Sequence, residues 1–247
     1  MEYELAAEYD GNIYLQPGVI CPHCAPPPLN LAHGNQLLLA RDPTYPGGSG
    51  RRYKVKEYTV DAVTHCMEAL GSPPSGWMAG SPEGIATALD VFVGYILLDA
   101  WSANQDRHHE NWGALRIPDD PVLRLAPTFD HGASLARNIP DEERKDRLES
   151  RDTGRQIAAF AARARSGFYG AAGANRPLTT FEAFGSFSAA APEAGKIWLA
   201  RLAGVTSAEV EGIVREVPPN RMSAVTRRFT MELLTVNRQS LLALPTP

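Results

Sequence analysis

The chain contains 247 residues, of which 44% are hydrophobic and 21% are charged, a composition typical of globular proteins. Its 24 Lys and Arg residues against 28 Asp and Glu residues give a net charge of −4, so no basic field predicts binding to nucleic acid or to an anionic membrane. The longest apolar stretch, residues 91–98, is far shorter than the roughly 20 residues of a membrane span. An acidic N-terminus without an apolar signal core and only three cysteines predict a cytoplasmic protein in a reducing compartment.

Proline and glycine interrupt the first 50 residues repeatedly, so this part of the chain is predicted to form short strands and loops, with no strong helix. Residues 12–15 and 36–40 are the pieces with the character of short strands. We therefore predict an irregular segment over residues 1–55, followed by one helical domain over residues 56–247.

Apolar residues recur at helical spacing from residue 58 onward. The strongest pattern covers residues 83–101, and its wide apolar face predicts a helix at the centre of the core. The almost fully charged residues 141–152 indicate a solvated helix or a mobile segment. Other helices are predicted at residues 58–70, 156–165, 180–188, 194–202, 208–214 and 223–244. The fold class is therefore predicted to be mainly α.

A dense polar stretch, residues 102–111, follows the central helix directly. Two short runs, residues 112–117 and 122–126, then flank a Pro-Asp-Asp-Pro turn, which predicts a β-hairpin. A hairpin returns the chain to its starting point, so Asn111 before it and Asp130 after it are expected to face the same cavity as Asp106.

Asp106, Asn111 and Asp130 offer only hard oxygen ligands, which suit Mg²⁺ completed by phosphate oxygens and suit zinc badly. Phosphoryl transfer from a nucleotide requires such a set, in which an Asp and an Asn hold the metal and a second Asp orients the acceptor hydroxyl. Each of these residues alone more often stabilises a turn or a helix end. The order Asp, four residues, Asn, hairpin and Asp is what points to a kinase.

Two segments resemble one family. Asn104-Gln105-Asp106-Arg107-His108-His109-Glu110-Asn111-Trp112 resembles the N-x-D-R-H-x-x-N-W catalytic loop of HipA-like kinases, and Leu125-Ala126-Pro127-Thr128-Phe129-Asp130 resembles their L-A-P-x-[YF]-D segment. The family consists of bacterial serine/threonine kinases, often toxins of toxin–antitoxin pairs, with a two-lobed kinase-like fold. The D-R-H-x-x-N loop also occurs in phosphoinositide lipid kinases, so the loop alone does not identify the acceptor.

The resemblance implies a role for each residue of the site. Asp106 would orient and deprotonate the acceptor hydroxyl, while Asn111 and Asp130 would bind the Mg²⁺ of Mg²⁺-ATP. Arg107 and His108 would brace the catalytic loop, by pairing with a carboxylate that the sequence does not identify. The implied fold is the large, C-terminal lobe of a kinase, with a small β-hairpin at the active site.

The small lobe of such kinases carries a phosphate-binding lysine paired with a glutamate. This sequence has four lysines, and none stands in a strand preceded by a glycine-rich turn. Gly47-Gly48-Ser49-Gly50 looks like a phosphate loop, but no Lys-Ser/Thr pair follows it. We therefore expect the chain to lack the small lobe, and a separate small-lobe or antitoxin protein to be a partner.

The leading hypothesis is an ATP-dependent kinase that phosphorylates a protein Ser or Thr. The first alternative is a catalytically silent module that binds a partner protein. The second is a small-molecule phosphotransferase of the aminoglycoside type, which shares the Asp–Asn spacing but usually carries His before the Asp, where this chain has Asn104-Gln105.

Cys21-Pro22-His23-Cys24 spells a motif of thiol–disulfide oxidoreductases, in which a helix start lowers the pKa of the first cysteine. The prolines that follow are expected to prevent such a helix. As half of a zinc site, the motif would need further ligands, for which His33, His65 and Cys66 are the nearby candidates.

Overall fold

The computed structural model describes residues 4–9, 14–48 and 50–245, which form a mainly helical structure with two small antiparallel sheets. Among the described residues, no helix combines the length and the apolar character needed to cross a membrane. The strands are β1 (Glu4–Tyr9), β2 (Tyr14–Ile20), β3 (Asn30–His33), β4 (Gly113–Arg116) and β5 (Arg124–Leu125). The helices are α1 (Gly34–Arg41), α2 (Val60–Glu68), α3 (Ser75–Met78), α4 (Ala88–Ser102), α5 (Asp141–Glu149), α6 (Ile157–Ala161), α7 (Thr180–Ala190), α8 (Pro192–Gly204), α9 (Ser207–Glu216) and α10 (Ala224–Leu242).

Helix α4 is the centre of the core, as its sequence pattern predicts, and it contacts α2, α7, α8 and α10. It begins five residues later than predicted because Thr87 caps it. The Thr87 hydroxyl accepts from the amide of Asp90, whose carboxylate accepts from the amide of Thr87. The helix ends at Ala103, whose φ of 53° is left-handed and turns the chain into the polar loop.

An aromatic cluster holds α4 against the rest of the core. The ring of Phe92 is fully buried and meets the rings of Trp112, Phe168 and Phe187 edge-on, at centroid distances of 5.6, 6.4 and 5.4 Å. Edge-to-face contacts at these distances stabilise aromatic pairs beyond the area that they bury. Because Trp112 ends the polar loop, this cluster fixes the far end of that loop to α4.

The predicted hairpin is confirmed. Strands β4 and β5 pair antiparallel, with Ala114 opposite Leu125. The sequence pattern did not predict the third strand, β3, which pairs with the other edge of β4. A side chain at Gly113 would collide with the backbone of β3, since its Cβ would lie 2.3 Å from the Ala32 carbonyl oxygen. The close approach of two backbones therefore requires glycine at the start of β4.

The strand predicted at residues 36–40, and the absence of helix from the first 50 residues, are wrong, because α1 occupies this part of the chain. The amides of Gly34 and Asn35 in its first turn donate to the carbonyls of Trp112 and His109, at 2.9 and 2.7 Å. Leu37, on the same helix, is buried in the core. Partners distant in sequence therefore stabilise a helix that local propensity does not predict.

The strand predicted at residues 12–15 is only partly described. Asn12 and Ile13 lie outside the described residues, while residues 14 and 15 belong to β2, which pairs antiparallel with β1. Ser49 of the glycine-rich sequence also lies outside them.

Tyr45 and Val55 belong to the same buried cluster as α4. The domain boundary between residues 55 and 56 stays a prediction.

The other predicted helices are present, with shifted ends. The charged stretch forms α5, which has no buried residue and is thus a solvated helix. Helix α6 is shorter than predicted, and the four-residue α3 was not predicted. Helices α6 and α10 share a second, smaller cluster in which Ile157 and Ala161 pack with Phe229 and Leu233.

Replacing Phe92 by alanine tests the central position of α4. Because Phe92 is fully buried, Phe92→Ala is expected to lower the free energy of unfolding by about 3–5 kcal/mol. Urea denaturation followed by circular dichroism measures this change. Leu98→Ala, on the same helix at a side chain that is 36% exposed, is the control and should cost about 1 kcal/mol or less. Equal losses in both variants would contradict the assignment.

Candidate active site

The polar loop after α4 is held by a buried ion pair between Arg107 and Asp99. The guanidinium donates from Nε and Nη2 to the two carboxylate oxygens of Asp99, at 2.7 and 2.8 Å. Both side chains are almost fully buried, with 1% and 5% of their surface exposed. Such a bidentate pair fixes both distance and orientation between its partners. The loop therefore has a defined position relative to α4.

Arg107 also reaches two other segments of the site. Its Nη1 donates to the carbonyl of Asn111 at 2.7 Å and to the carbonyl of Phe129 at 3.2 Å. Burial alone would lower the pKa of Arg107, but the Asp99 carboxylate outweighs burial, so the pKa is raised and the charge is retained. One side chain thus connects α4, the loop, and the residue that precedes Asp130.

Asn104 shapes the start of the loop through two side-chain hydrogen bonds. Its Nδ2 donates to Oδ1 of Asp99 at 2.8 Å, and its Oδ1 accepts from the amide of Asp106 at 3.2 Å. Asp99 therefore holds both Arg107 and Asn104. The backbone of Asp106 is positioned through Asn104, while its carboxylate remains partly exposed, at 26%.

Asn111 is buried and tied to Asp106. Its Nδ2 donates to the backbone carbonyl of Asp106 at 2.7 Å, so its Oδ1 is the atom left for a cation. Asp130 is exposed and has a φ of 54°, a left-handed conformation that Asp tolerates better than most residues. Asp130 directly follows Phe129, whose carbonyl accepts from Arg107, so the backbone before Asp130 is tied to the loop of Asp106 and Asn111. The structure thus groups the three residues that the sequence predicts to act together.

The donor set fits magnesium better than a metal held by protein alone. Among the described residues, no group of three or more His, Cys, Asp and Glu side chains could hold a metal ion. The amide oxygen of Asn111 and the exposed carboxylate of Asp130 would supply two hard oxygen ligands, an incomplete shell. Mg²⁺ is usually completed in this way by water and by substrate phosphates. The residues present therefore fit Mg²⁺ bound together with a phosphate ligand.

The two histidines of the loop, His108 and His109, are both buried. Nδ1 of His108 accepts from the amide of Glu110 at 3.1 Å, and its Nε2 lies 3.9 Å from Oδ1 of Asp106. Nδ1 of His109 lies 2.7 Å from the Tyr45 hydroxyl. Burial lowers the pKa of both rings below the usual value for histidine, so both are neutral at neutral pH. His108 therefore adjoins Asp106 without a full charge.

Two residues of the site were not predicted. Asp99 is the carboxylate that pairs with Arg107, and its signal was an acidic residue inside the apolar sequence of α4. Tyr53 donates from its hydroxyl to Oδ1 of Asp106 at 2.8 Å. No local pattern around Tyr53 indicates this contact, since the two residues meet only in the folded chain.

In the described residues, the cysteine motif lacks the helix that a thiol–disulfide oxidoreductase places after its first cysteine, and it belongs to no metal-binding cluster. Residues 21–25 contain no helix, which confirms the effect expected of the prolines. Cys21, Cys24 and Cys66 are all free thiols. Burial raises the pKa of Cys24, the second cysteine of the motif, and of Cys66, and among the described residues no metal-binding cluster includes His33 or His65.

A cavity of about 370 Å³ lies next to the site but is separate from it. It is lined on one side by Thr128 and His131, which flank Asp130 in sequence, and by Tyr95 of α4. Neither Asp106, Asn111 nor Asp130 lines it. The three oxygen-bearing residues therefore lie outside this apolar cavity: Asn111 is buried, Asp106 is partly exposed and Asp130 is exposed.

Comparison with solved structures shows a kinase-like fold. The chain is similar to the crystal structure of a Helicobacter pylori proinflammatory kinase, CtkA, with a TM-score of 0.65 and 16% sequence identity. The similarity covers 97% of this chain and 74% of that chain. No protein-family model matches the sequence, and no curated protein matches it. At this identity the similarity establishes the fold alone: a mainly helical, kinase-like lobe with a small sheet.

Removing the Asp99 carboxylate tests the anchoring of the loop. Asp99→Ala leaves the buried charge of Arg107 unpaired and is expected to lower the free energy of unfolding by about 3–5 kcal/mol. Asp146→Ala is the matched control, because it removes the same type of side chain from an ion pair with Arg155 that is exposed. Chemical denaturation should show a loss of about 1 kcal/mol or less for the control. A similarly small loss for Asp99→Ala would contradict the anchoring role.

Proposed function

We propose that this chain is the large lobe of a HipA-like kinase, which transfers the γ-phosphate of ATP to a Ser or Thr of a protein. The observation that carries the proposal is the position of Arg107. It fixes the loop of Asp106 and Asn111 relative to the segment of Asp130 on a kinase-like fold. A link to a toxin–antitoxin pair is part of the proposal and rests on the motif resemblance. A cytoplasmic location is also part of it and rests on the low cysteine content.

Each residue has a distinct task in this proposal. Asn111 Oδ1 and the Asp130 carboxylate would hold Mg²⁺, which neutralises charge on the phosphates. The Asp106 carboxylate would accept the proton of the acceptor hydroxyl, for which its partial exposure gives access. The neutral ring of His108 limits the range of positions open to that carboxylate.

The openness of the site supports a role for a partner. Asp106 is partly exposed and Asp130 is exposed. Phosphoryl transfer needs positioned charge around the phosphates and exclusion of water. We therefore propose that a small-lobe protein, or a partner of the antitoxin type, covers the nucleotide on this side.

Nucleotide binding tests the metal assignment. The full chain with millimolar Mg²⁺-ATP is expected to unfold at a higher temperature, with about 2.7 kcal/mol of added stability at a hundredfold excess over Kd. Asp130→Asn should abolish this shift, because it removes the charge while the left-handed backbone remains accessible to Asn.

Asp119→Asn is the matched control for that measurement. Asp119 is exposed in the hairpin turn and has a φ of 63°, so the same change is made in the same backbone conformation away from the site. The control should keep the full shift. An absent shift in the unaltered chain, with and without a small-lobe partner, would favour a silent partner-binding module.

Asp106→Asn separates chemistry from binding. This substitution removes the proton acceptor but not the proposed metal ligands, so transfer of labelled phosphate to an acceptor protein should fall by at least about a hundredfold. The thermal shift with Mg²⁺-ATP should remain. Undiminished transfer in the variant would remove Asp106 from its proposed role, and transfer only to small molecules would favour the small-molecule phosphotransferase.

A further inference from the structure

Tyr53 is an exposed side chain whose hydroxyl reaches the active site. The residue is 62% exposed, yet its hydroxyl donates to Oδ1 of Asp106 at 2.8 Å. A general base must lie about 2.6–3.2 Å from the oxygen whose proton it takes. The Tyr53 hydroxyl therefore has, toward the proposed base, the geometry that an acceptor hydroxyl needs.

The charges of Asp106 and Asp130 both act on this hydroxyl. The hydrogen bond to Asp106 raises the pKa of Tyr53 above its usual value, and the charge of Asp130 raises it further. The hydroxyl is thus protonated at neutral pH and lies within the electrostatic reach of both carboxylates.

The segment that carries Tyr53 is anchored at both ends. Arg52 forms an ion pair with Glu110 of the catalytic loop at 2.6 Å, and the side chain of Val55 is buried in the core. The ring of Tyr53 meets the ring of His108 edge-on, at a centroid distance of 5.3 Å. These contacts keep the tyrosine over Asp106 rather than free in solvent.

The charge of this segment suits phosphate. Residues 51–56 read Arg-Arg-Tyr-Lys-Val-Lys, so four cationic residues surround one tyrosine within six positions. Cationic side chains attract the phosphates of a nucleotide, and they stabilise a phosphate attached to a neighbouring hydroxyl.

We propose that Tyr53 is a site of self-phosphorylation, modified within the same chain by the Asp106 site. This inference rests on the proposed phosphotransferase function. The Tyr53 oxygen forms a bond to the γ-phosphorus of ATP as the bond from that phosphorus to the β,γ-bridging oxygen breaks. The phenolic proton passes to Asp106 and then to water, and ADP leaves. Phosphotyrosine, ADP and one proton are the products.

The modification also changes access to the base. A phosphate on Tyr53 adds a charge of about −1.5 to −2 beside Asp106 and Asp130, which repel it. Lys54 and Lys56, which are exposed on the same segment, offer it opposite charge. Phosphorylated Tyr53 is therefore expected to leave Asp106, so that the hydroxyl of a protein substrate has access to this carboxylate.

The experiment incubates the full chain with Mg²⁺-ATP and identifies phosphorylated residues by mass spectrometry of peptides. Tyr53 is expected to carry phosphate in the unaltered chain and none in Asp106→Asn. For a reaction within one chain, the first-order rate should not change as the protein is diluted. In a mixture of active Tyr53→Phe with a mass-tagged Asp106→Asn chain, Tyr53 of the tagged chain should stay unmodified.

Different outcomes contradict the two proposals separately. Unmodified Tyr53, in a chain that binds Mg²⁺-ATP and phosphorylates an added protein, overturns this inference and leaves the proposed function in place. If Tyr53 is unmodified and Tyr53→Phe phosphorylates the added protein faster, the Tyr53 hydroxyl blocks the acceptor position instead of accepting phosphate. Modification of the tagged Asp106→Asn chain would overturn the reaction within one chain. Failure of nucleotide binding and of all transfer, both with and without a small-lobe partner, would overturn both proposals.

Discussion

The buried ion pair between Arg107 and Asp99 is the interaction on which the site depends. A buried charge pair contributes little net stability, because desolvation offsets most of its attraction. Its value here is geometric. The guanidinium donates from Nε, Nη1 and Nη2 to the two carboxylate oxygens of Asp99 and to the backbone carbonyls of Asn111 and Phe129. Since these partners belong to three segments, their relative positions are set together.

The catalytic loop is also held from outside by elements that precede it in sequence. The first turn of α1 donates two amides to the carbonyls of His109 and Trp112, and the hydroxyl of Tyr58 donates to the carbonyl of Arg107 at 3.2 Å. Trp112 in turn donates from Nε1 to the Tyr58 hydroxyl at 2.8 Å. The backbone of the loop is therefore constrained on both sides, while the carboxylate of Asp106 stays accessible.

Rigid anchoring and open access together favour a site that is completed by other molecules. The groups that position Asp106 and Asn111 are buried, whereas Asp130 faces solvent. Tyr53 is the described side chain that donates a hydrogen bond to the Asp106 carboxylate. Under the proposed function, such a site would be positioned for phosphates and a hydroxyl acceptor before either is bound, which would lower the entropy cost of reaching the reactive geometry.

The sequence by itself determined the elements whose signals are local. The apolar period of α4 and the Pro/Asp turn of the hairpin fixed both elements, because each depends on residues within one short window. The spacing of Asp106, Asn111 and Asp130 grouped them as candidates for the same reason, since a hairpin must return the chain to its start. The sequence also shows Asp99 within the apolar stretch of α4, but it does not show that Arg107 is the partner of this carboxylate.

Only the tertiary structure decided what depends on distant contacts. Helix α1 forms in a segment that reads as strand and loop, because its first amides find the carbonyls of His109 and Trp112 about 75 residues further along the chain. Strand β3 forms because β4 offers it a free edge. The pairing of Arg107 with Asp99 and the contact of Tyr53 with Asp106 likewise exist only when the chain is folded. Backbone hydrogen bonds and buried charges take the partners that folding brings within reach, and local sequence does not record which partners those are.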